Sequence, residues 1–373
     1  MRTGFDAKRA FYNFSGLGNY SRNIISLLNR FYPDDDQVLY TPGTGEVRPG
    51  FPPPGACVKI PQGFLANTFK SYWRSVGLTK QLENDGIEIY HGLSNELPAG
   101  IQHQKVASVV TVHDLIFIRF PELYHRIDRN IYRKKITHAL KSASRIVAIS
   151  EQTKRDIIEY TGTPATKINV VYQSCNPSFI PESSPHIREA VKLKYDLPDT
   201  YLLYVGTIEK RKNLLTIVRA LHQGRISLPL VVIGRETGYA SLVHDYIAKY
   251  QVPGILFLKN VPNTDLPPIY QQAMLFIYPS SFEGFGIPVL EALNSGVPVI
   301  AGKGSCLEET GGPDSVYVDP LDTDNLAYEI KRLSGNEPLR RKMVEKGKQF
   351  AVQFSEQNTT RKLHEIYESL LRL

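Results

Sequence analysis

Cysteine is scarce in this chain of 373 residues, which contains only Cys57, Cys175 and Cys306. An odd number of cysteines without paired spacing favours neither a disulfide framework nor a zinc cluster. We therefore expect the three thiols to be small buried apolar residues.

Long apolar stretches are also missing. No window approaches the roughly 20 apolar residues that a membrane-spanning helix needs. The first residues, MRTGFDAKRAFYNF, carry charges where a signal peptide needs an apolar segment. We expect a protein of the cytoplasm.

Hydrophobic residues make up 42% and charged residues 22% of the chain, a balance that excludes an intrinsically disordered protein.

Acidic residues are fewer than basic ones, 37 against 44, which gives a net charge of +7. A basic protein attracts anions, and phosphorylated small molecules, nucleic acids and anionic lipids all qualify. Net charge alone does not distinguish these partners.

The chain is too long for one hydrophobic core, because domains usually contain about 100 to 200 residues. Short apolar runs alternate with stretches of helical periodicity, a pattern typical of parallel sheets with crossover helices. Proline-rich loops are predicted at 41–61 and 173–185. The predicted strands are residues 3–5, 38–40, 87–90, 107–112, 145–149, 169–171, 201–205, 228–233, 255–258, 275–278, 297–301 and 316–318.

This alternation predicts two doubly wound α/β domains. We place the first at 1–180 and the second at 181–355, followed by an amphipathic helix at 356–373 that could return to the first domain. Open parallel sheets bind ligands at the carboxyl ends of their strands. Two such sheets facing each other would enclose an interdomain cleft.

The most informative segment is YPSSFEGFGIPVLEALNSGVPVIA at residues 278–301, which predicts a strand, a loop, a helix and a second strand. Gly286 permits close backbone approach and Pro288 suits a first helical turn, so the nearby amides would face a phosphate. Glu283 lies in the loop and Glu291 about one turn into the helix, where each could reach one side of that phosphate. The alternative is that both are glutamates favoured near a helix start by its dipole.

A second segment, YLLYVGTIEKRKNLLTIVRAL at 201–221, predicts a buried strand that ends at Gly206. Arg211 and Lys212 precede the next helix, where the helix dipole repels cations unless an anion is bound. A diphosphate would resolve this conflict. The alternative is a solvated basic loop, the usual environment of a KRK run.

Two features of the first half are weaker indications. His113 and Asp114 end an apolar strand in QKVASVVTVHDLIF, where a histidine could polarise or position a substrate hydroxyl, although a lone histidine is more often structural. Gly16 and Gly18 precede a helix in AFYNFSGLGNYSRNIISLL. This loop lacks the full GxGxxG pattern of nicotinamide dehydrogenases and better suits a sugar or phosphate.

Together these motifs resemble those of retaining glycosyltransferases of family 4, which have the GT-B fold of two facing Rossmann-like domains. The resemblance covers nearly the whole chain. EGFGIPVLEALNSGVPVIA is similar to the family's Glu, seven residues, Glu signature, and GTIEKRKN to its phosphate-binding turn. FSGLGNYSRNI, TVHDL, VAISEQTKRDI and SCLEETGGPDSVYVDP match in the same order. The chain looks most like mannosyl- or rhamnosyltransferase-type members that build bacterial surface polysaccharides.

The resemblance implies a retaining hexosyltransferase that uses no metal and no cofactor. It implies transfer of a hexose from a nucleoside diphosphate sugar, GDP- or UDP-linked, to a glycan or lipid-linked acceptor. The catalytic residues that it implies are His113, Glu283, Arg211 and Lys212. The donor-binding residues that it implies are Gly16, Gly18, Gly206, Thr207, Val261, Phe285, Gly286, Ile287 and Glu291.

Two departures from the family pattern affect these roles. Thr207 stands where many relatives have an arginine directly after the glycine, so Arg211 would carry more of the phosphate contact. Glu308 replaces a common proline. No clear DxD-type metal pair follows a strand, and the acidic run at 34–36 is predicted to be a solvated turn before an edge strand.

Residues 119–145, RFPELYHRIDRNIYRKKITHALKSASR, mix basic with aromatic and aliphatic side chains. Such a surface could rest on the anionic inner face of the membrane, although an exposed helix packed on a sheet gives the same pattern.

The alternatives to a glycosyltransferase are a GT-B epimerase or phosphorylase, and a non-catalytic protein that binds nucleotide sugars or carbohydrate. Only the basic balance favours nucleic acid, which we do not expect as a partner.

Overall fold

The structure is a computed structural model that describes residues 1–45, 50–62 and 72–372, with the side chains of residues 75 and 76 left out. The described chain forms two compact units. One comprises Met1–Gln173 together with Glu356–Leu373, and the other comprises Ser174–Ser355.

The first unit is built on a parallel sheet of seven strands in the order β3-β2-β1-β4-β5-β6-β7. The order reverses between β1 and β4, which are direct neighbours, and this reversal marks the point where open α/β sheets bind ligands. The strands are β1 (Arg2–Asp6), β2 (Asp36–Tyr40), β3 (Cys57–Lys59), β4 (Ile89–Gly92), β5 (Ala107–Val112), β6 (Arg145–Ala148) and β7 (Ile168–Val170).

Helices cover this sheet, so its central strands are almost entirely buried. The sequence ASVVTV of β5 is an example, with five of its six residues buried. The helices are α1 (Lys8–Tyr12), α2 (Gly16–Phe31), α3 (Leu78–Asn84), α4 (Ile116–Arg119), α5 (Arg126–Ser142) and α6 (Glu151–Thr161).

The last helix of the chain (Glu356–Leu371) belongs to the first unit and packs against α2. The ring of His364 stacks on Tyr32 with centroids 3.5 Å apart. Its Nε2 lies 3.0 Å from a carboxylate oxygen of Asp35. Further along the helix, the hydroxyl of Tyr367 lies 2.5 Å from Nδ1 of the buried His91. Polar contacts at two positions along this helix therefore attach it to the rest of the first unit.

The second unit contains a parallel sheet of six strands in the order β10-β9-β8-β11-β12-β13. Its order reverses between β8 and β11. The strands are β8 (Leu202–Val205), β9 (Leu230–Ile233), β10 (Ile255–Leu258), β11 (Leu275–Tyr278), β12 (Val299–Gly302) and β13 (Val316–Val318). The helices are α7 (Pro185–Tyr195), α8 (Leu214–Gln223), α9 (Ala240–Tyr250), α10 (Leu266–Gln271), α11 (Ile287–Asn294), α12 (Leu307–Gly311), α13 (Thr323–Ser334) and α14 (Glu337–Ala351). We number the final helix α15.

The second unit begins at Ser174, inside the predicted loop at 173–185. Within that loop the ring of Phe179 is buried and packs edge-on against Tyr270, with centroids 5.4 Å apart. This apolar contact fixes the segment to the second unit.

Each predicted strand overlaps an observed one, but four expectations about the first unit were wrong. The predicted loop at 41–61 contains β3, a short strand at the edge of the sheet, where prolines can precede a strand without breaking a central ladder. Residues 46–49 of that loop lie outside the described residues. Because β3 pairs with β2 at the outer side of the sheet, β2 is not an edge strand. Asp35 is not simply solvated, since it contacts His364, and Cys57 is exposed.

Every helix in the described ranges is too short or too polar to cross a lipid bilayer.

Candidate active site

Two strand-to-helix turns meet where the order of the second sheet reverses. The lysine turn (residues 206–213) connects β8 to α8, and the glutamate turn (residues 279–286) connects β11 to α11. Asn213 joins them: its Nδ2 donates to the carbonyl oxygen of Pro279 (2.9 Å) and to Oγ of Ser281 (2.7 Å). The amide of Ser281 in turn donates to the carbonyl oxygen of Arg211, at 2.9 Å. The two turns therefore form one hydrogen-bonded body.

Glu283 lies at the centre of this body. Its Oε1 accepts hydrogen bonds from Oγ of Ser280 (2.8 Å) and the hydroxyl of Tyr278 (2.9 Å), and lies 2.8 Å from Nη1 of Arg211. Burial alone would raise the pKa of this carboxyl, but Lys212, Arg211 and the two hydroxyls together hold it below its usual value. Glu283 is therefore ionised at neutral pH. Within the described ranges Oε2 has no hydrogen-bond donor, which leaves it able to accept one from a ligand.

Arg211 is engaged by protein groups rather than open to a ligand. Its Nη2 lies 2.5 Å from Glu209 Oε1, and its Nη1 contacts Glu283 and donates to the carbonyl oxygen of Phe282. Its side chain is only 13% exposed. Burial favours the neutral form, but the Glu283 and Glu209 carboxylates raise the pKa of the guanidinium above its usual value. Its contacts indicate that Arg211 holds the carboxylate of Glu283 in place.

Lys212 differs from its neighbour. Its Nζ lies 3.7 Å from Oε1 of Glu283 and 5.4 Å from the ring centre of Tyr278. It also lies 3.5 Å from the position that a Cβ on Gly206 would occupy. The side chain is 14% exposed, and its ammonium makes an ion pair but no hydrogen bond with any described residue. An ammonium has three donors, so those of Lys212 remain available to an anion at the strand tip.

The N-terminus of α11 supplies further donors. Gly286 precedes the helix with φ +99°, and a Cβ there would lie 2.5 Å from Cδ2 of Leu307, so only glycine fits. No described side chain caps the helix. The ring of Phe285 is buried and packs against Phe354 at 5.5 Å. The main-chain amides at the start of α11, rather than the ring of Phe285, are therefore the groups that could meet a ligand.

Glu291 lies in the second turn of α11 and is partly exposed. Its Oε2 accepts a hydrogen bond from the hydroxyl of Tyr270, at 3.0 Å. Burial raises the pKa of Glu291 to about 7, although the Tyr270 hydrogen bond lowers it. The two glutamates of the motif thus differ in charge: Glu283 is ionised, and Glu291 is close to half-protonated at neutral pH.

The raised pKa of Glu291 predicts that the stability of the folded protein depends on pH. A carboxyl whose pKa is raised by folding binds more protons in the folded state, so its contribution to stability falls as pH rises. The fall spans the interval between the usual value of 4.5 and about 7. Glu291→Gln is expected to remove this fall and to stabilise the protein by about 2 kcal/mol at pH 8, a magnitude reduced for partial exposure. Chemical denaturation at pH 5 and pH 8 checks this; equal differences between wild type and variant at both pH values would contradict it.

Two other predicted donor residues lie on the same edge of the sheet. Thr207 belongs to the lysine turn, and its carbonyl oxygen accepts from the hydroxyl of Tyr204 at 3.2 Å. Val261 follows β10, which is separated from β8 by β9. The structure therefore brings Thr207 together with Lys212 and places Val261 two strands away.

His113 lies in the first unit, directly after β5. Its Nε2 is 2.8 Å from the carbonyl oxygen of Leu93, and because a carbonyl only accepts, Nε2 carries the proton. Burial lowers the pKa of His113 to about 4, partly opposed by the Leu93 hydrogen bond and aided by Arg9. The ring is therefore neutral at pH 7, with Nδ1 as its acceptor. Asp114 accepts from the amide of Ile116 (3.1 Å) at the start of α4.

Gly16 and Gly18 begin α2, and their surroundings differ. A Cβ on Gly18 would lie 1.8 Å from the carbonyl oxygen of Asn13, so packing requires glycine there. A Cβ on Gly16 would meet no heavy atom of the described chain within 4 Å. No described side chain caps α2 at Ser15. Packing within the described chain does not explain the glycine at 16, whereas close approach of a ligand would.

This contrast gives a matched pair of variants. Gly16→Ala is expected to leave stability unchanged or raised by up to about 1 kcal/mol, since alanine favours a helix, while reducing transfer activity at least tenfold. Gly18→Ala is expected to destabilise the fold by about 2 kcal/mol or more, because backbone atoms must move. Thermal unfolding and turnover of both variants check this. Full activity in Gly16→Ala would remove the argument for a ligand at that position.

Sequence reasoning missed three contributors to the site. The hydroxyls of Tyr278, the last residue of a predicted strand, and of Tyr270 hold Glu283 and Glu291 respectively. Asn213 directly precedes α8, has a left-handed backbone, φ +52°, and joins the two turns. Asparagine is one of the few residues that tolerate this conformation, and that was the available signal.

Comparison with known proteins decides the family. The family profile described as Glycosyl transferases group 1 matches residues 187–350, and that of Glycosyltransferase Family 4 matches residues 14–179. The chain is 33% identical to the O-antigen chain mannosyltransferase B of Escherichia coli over 289 residues, covering 76% of this chain and 74% of that protein. The chain belongs to glycosyltransferase family 4.

Other relatives of this glycosyltransferase match more distantly. The serotype-specific mannosyltransferase WbdA of Escherichia coli is 27% identical over 68% of this chain, and the match spans only 32% of that longer protein. The solved structure of sucrose-phosphate synthase from Thermosynechococcus elongatus superposes with a TM-score of 0.81 at 17% identity, covering 100% of this chain and 99% of that one. This structural likeness concerns the fold alone, and it confirms the predicted GT-B fold.

Proposed function

We propose that this family 4 glycosyltransferase transfers a hexose, with mannose as the first candidate, from a GDP- or UDP-linked donor to a glycan or lipid-linked acceptor. The reaction would serve the synthesis of a bacterial surface polysaccharide. The observation that carries the proposal is the arrangement at the reversal of the second sheet. Among the described residues, an ammonium with unused donors, a carboxylate oxygen without a partner and a helix N-terminus without a side-chain cap share one strand edge there. The names of the mannosyltransferase relatives support the choice of sugar and pathway.

The donor's diphosphate fits the cationic part of this arrangement. As the bond between the anomeric carbon and the diphosphate breaks, negative charge accumulates on the departing phosphate. The ammonium of Lys212 and the amides of Gly286 and Ile287 would stabilise that charge. Because these groups are fixed before reaction, we propose that the leaving group needs no metal ion.

The two glutamates fit the hydroxyl groups on either side of the diphosphate. Oε2 of Glu283 would accept a hydrogen bond from a hydroxyl of the transferred sugar, while Arg211 holds Oε1. Glu291 would receive the ribose hydroxyls. Glu283 is ionised and so cannot donate a proton, which favours a role in sugar binding over acid catalysis. Retention of the anomeric configuration is proposed from family membership.

The first unit would bind the acceptor. The neutral ring of His113 offers Nδ1 as an acceptor for a substrate hydroxyl. The open space at Gly16 suits a sugar or phosphate beside the N-terminus of α2.

A panel of GDP-, UDP-, ADP- and dTDP-sugars tests the function. We expect one donor to raise the unfolding temperature, and its sugar to appear on an acceptor with release of nucleoside diphosphate and unchanged anomeric configuration by NMR. Activity should persist in EDTA. Conversion of the nucleotide sugar without any acceptor product would favour the epimerase alternative. Binding without turnover towards any acceptor tested would favour the non-catalytic one.

We also propose that α5 contacts the anionic inner face of the membrane. One side of the helix packs on the sheet, with Ile136 and Leu140 buried. The opposite side exposes Ile127 (76%) and Ile131 (45%). The exposed basic residues of the same helix are Arg126, Arg133, Lys134, Lys135 and Lys141. Apolar side chains inside a basic border are typical of helices that lie on anionic lipid.

Vesicle co-sedimentation tests this contact. The protein should bind phosphatidylglycerol vesicles at low salt and not phosphatidylcholine vesicles, and binding should weaken as salt increases. Replacing Ile127 and Ile131 with serine should reduce binding, whereas Leu193→Ser, at a site 73% exposed on α7, should not. No binding at low salt would contradict the proposal.

A further inference from the structure

The loop that follows β4 holds His113 at two points. The carbonyl oxygen of Leu93 accepts from Nε2 of the ring, at 2.8 Å. Two residues later, Oδ1 of Asn95 accepts from the backbone amide of His113, at 3.0 Å. Since β4 and β5 are paired neighbours, residues 93–95 lie beside the end of β5, where His113 begins the next loop.

Asn95 has an unusual backbone that makes this contact possible. Its φ is +61°, in the left-handed region, and its own amide donates to the carbonyl oxygen of Thr111 at 2.9 Å. The left-handed turn lets one residue contact the end of β5 through both its main chain and its side chain. Asparagine and aspartate tolerate this conformation better than most residues other than glycine.

The other contacts of His113 leave little freedom once this loop is in place. Oγ1 of Thr153 donates to the carbonyl oxygen of His113 at 3.2 Å. The ring meets that of Tyr20 edge-on, with centroids 4.6 Å apart. The residue as a whole is 5% exposed. Of these contacts, the one from Asn95 fixes the backbone amide and thereby the direction in which the ring leaves the chain.

We propose that Asn95 is a positioning residue, whose Oδ1 fixes the backbone of His113 so that the ring presents Nδ1 to the substrate. This inference rests on the proposed function, because it gives His113 a role at the substrate. Without Oδ1, the amide of His113 loses its acceptor and residues 93–95 lose one of their ties to β5. A displacement of about 1 Å in a reacting group lowers a rate by up to about a hundredfold.

Two substitutions distinguish the effect of the side-chain oxygen from the effect of the left-handed backbone. Asn95→Gly keeps the left-handed backbone and removes Oδ1, whereas Asn95→Asp keeps both an acceptor oxygen and tolerance of this φ. We expect Asn95→Gly to lower kcat about ten- to a hundredfold, with KM for the nucleotide sugar within about twofold of wild type. Asn95→Asp should restore most of kcat. Gln251→Gly is the control, because Gln251 also has a left-handed backbone, φ +48°, at the end of α9, and it should leave kcat unchanged.

A second readout does not depend on transfer. The ¹⁵N chemical shifts of the His113 ring should show a proton fixed on Nε2 in the wild type and in Asn95→Asp, and a mixture of tautomers in Asn95→Gly. Wild-type kcat and ring shifts in Asn95→Gly would overturn the inference, as would equal losses in the glycine and aspartate variants. If the wild-type protein transfers no sugar, the proposed function fails, while the ring shifts still decide whether Asn95 positions His113.

Discussion

Replacing Lys212 with alanine is expected to slow sugar transfer by about 2 to 4 kcal/mol of transition-state stabilisation, or roughly 30- to 1,000-fold, the scale seen when one charge-stabilising donor is lost. The physical reason lies in its contacts. Its ammonium is nearly buried and lies 3.7 Å from Glu283, yet it makes no hydrogen bond within the described part of the chain. Such a group gains most from a ligand that carries negative charge. The measurement is steady-state turnover with the donor identified by the nucleotide-sugar panel.

The stability of this variant should change little. Removing the ammonium takes one cation from Glu283, which keeps Arg211 as its counter-ion, and it also relieves the desolvation cost of an ammonium without hydrogen-bond partners among the described residues, so the two effects oppose each other. Lys210→Ala is the matched control, because Lys210 lies in the same turn and is exposed. It should retain normal turnover. A folded Lys212→Ala protein with wild-type kinetics would refute the assignment of Lys212 to the diphosphate.

Unlike Lys212→Ala, Glu283→Gln is expected to cause a large loss of stability as well as of activity. The amide oxygen of glutamine can still accept from Tyr278 and Ser280, so the shape of the turn is preserved. The charge is not, and Arg211 and Lys212 are left close together without the carboxylate that neutralises both. Breaking a buried ion pair by removing one partner costs about 3 to 5 kcal/mol. Chemical denaturation and turnover measured on the same preparation check both effects.

The stability that Glu283 contributes depends on pH. Because folding lowers the pKa of Glu283, its contribution is fully present above the usual value of 4.5 and is lost as the pH falls below it. The difference in stability between wild type and Glu283→Gln should therefore shrink in acid. Glu329→Gln is the control, since it removes an ion pair with Arg332 within a single helix and should cost less than about 1 kcal/mol. A Glu283→Gln variant as stable as this control would show that the carboxylate does not hold the two turns.

Much of this arrangement could be predicted from the sequence because it follows from local patterns. Parallel strands place their carboxyl ends on one edge, so a motif after β8 and a motif after β11 must share that edge once the two strands are neighbours. That reasoning brought Lys212, Glu283 and Glu291 to the same strand edge before any coordinates. The apolar strand before His113 is predicted for the same reason.

The rest depends on contacts between residues distant in sequence. Arg211 and Lys212 look alike in a KRK run, and only the structure shows that Glu209, Glu283 and Phe282 occupy the guanidinium. The pKa values of the two glutamates differ because two cations surround Glu283, whereas a single tyrosine hydroxyl contacts Glu291. Strand β3 escaped prediction because edge strands are short and tolerate neighbouring prolines.

The joined turns of the second unit would bind a nucleoside diphosphate. A crystal structure of the full chain with the nucleoside diphosphate of its donor tests this binding most directly. We predict phosphate oxygens within hydrogen-bond distance of Nζ of Lys212 and the amide of Ile287, with the ribose hydroxyls on Glu291. A diphosphate bound elsewhere, with Lys212 still directed at Glu283 alone, would contradict the account.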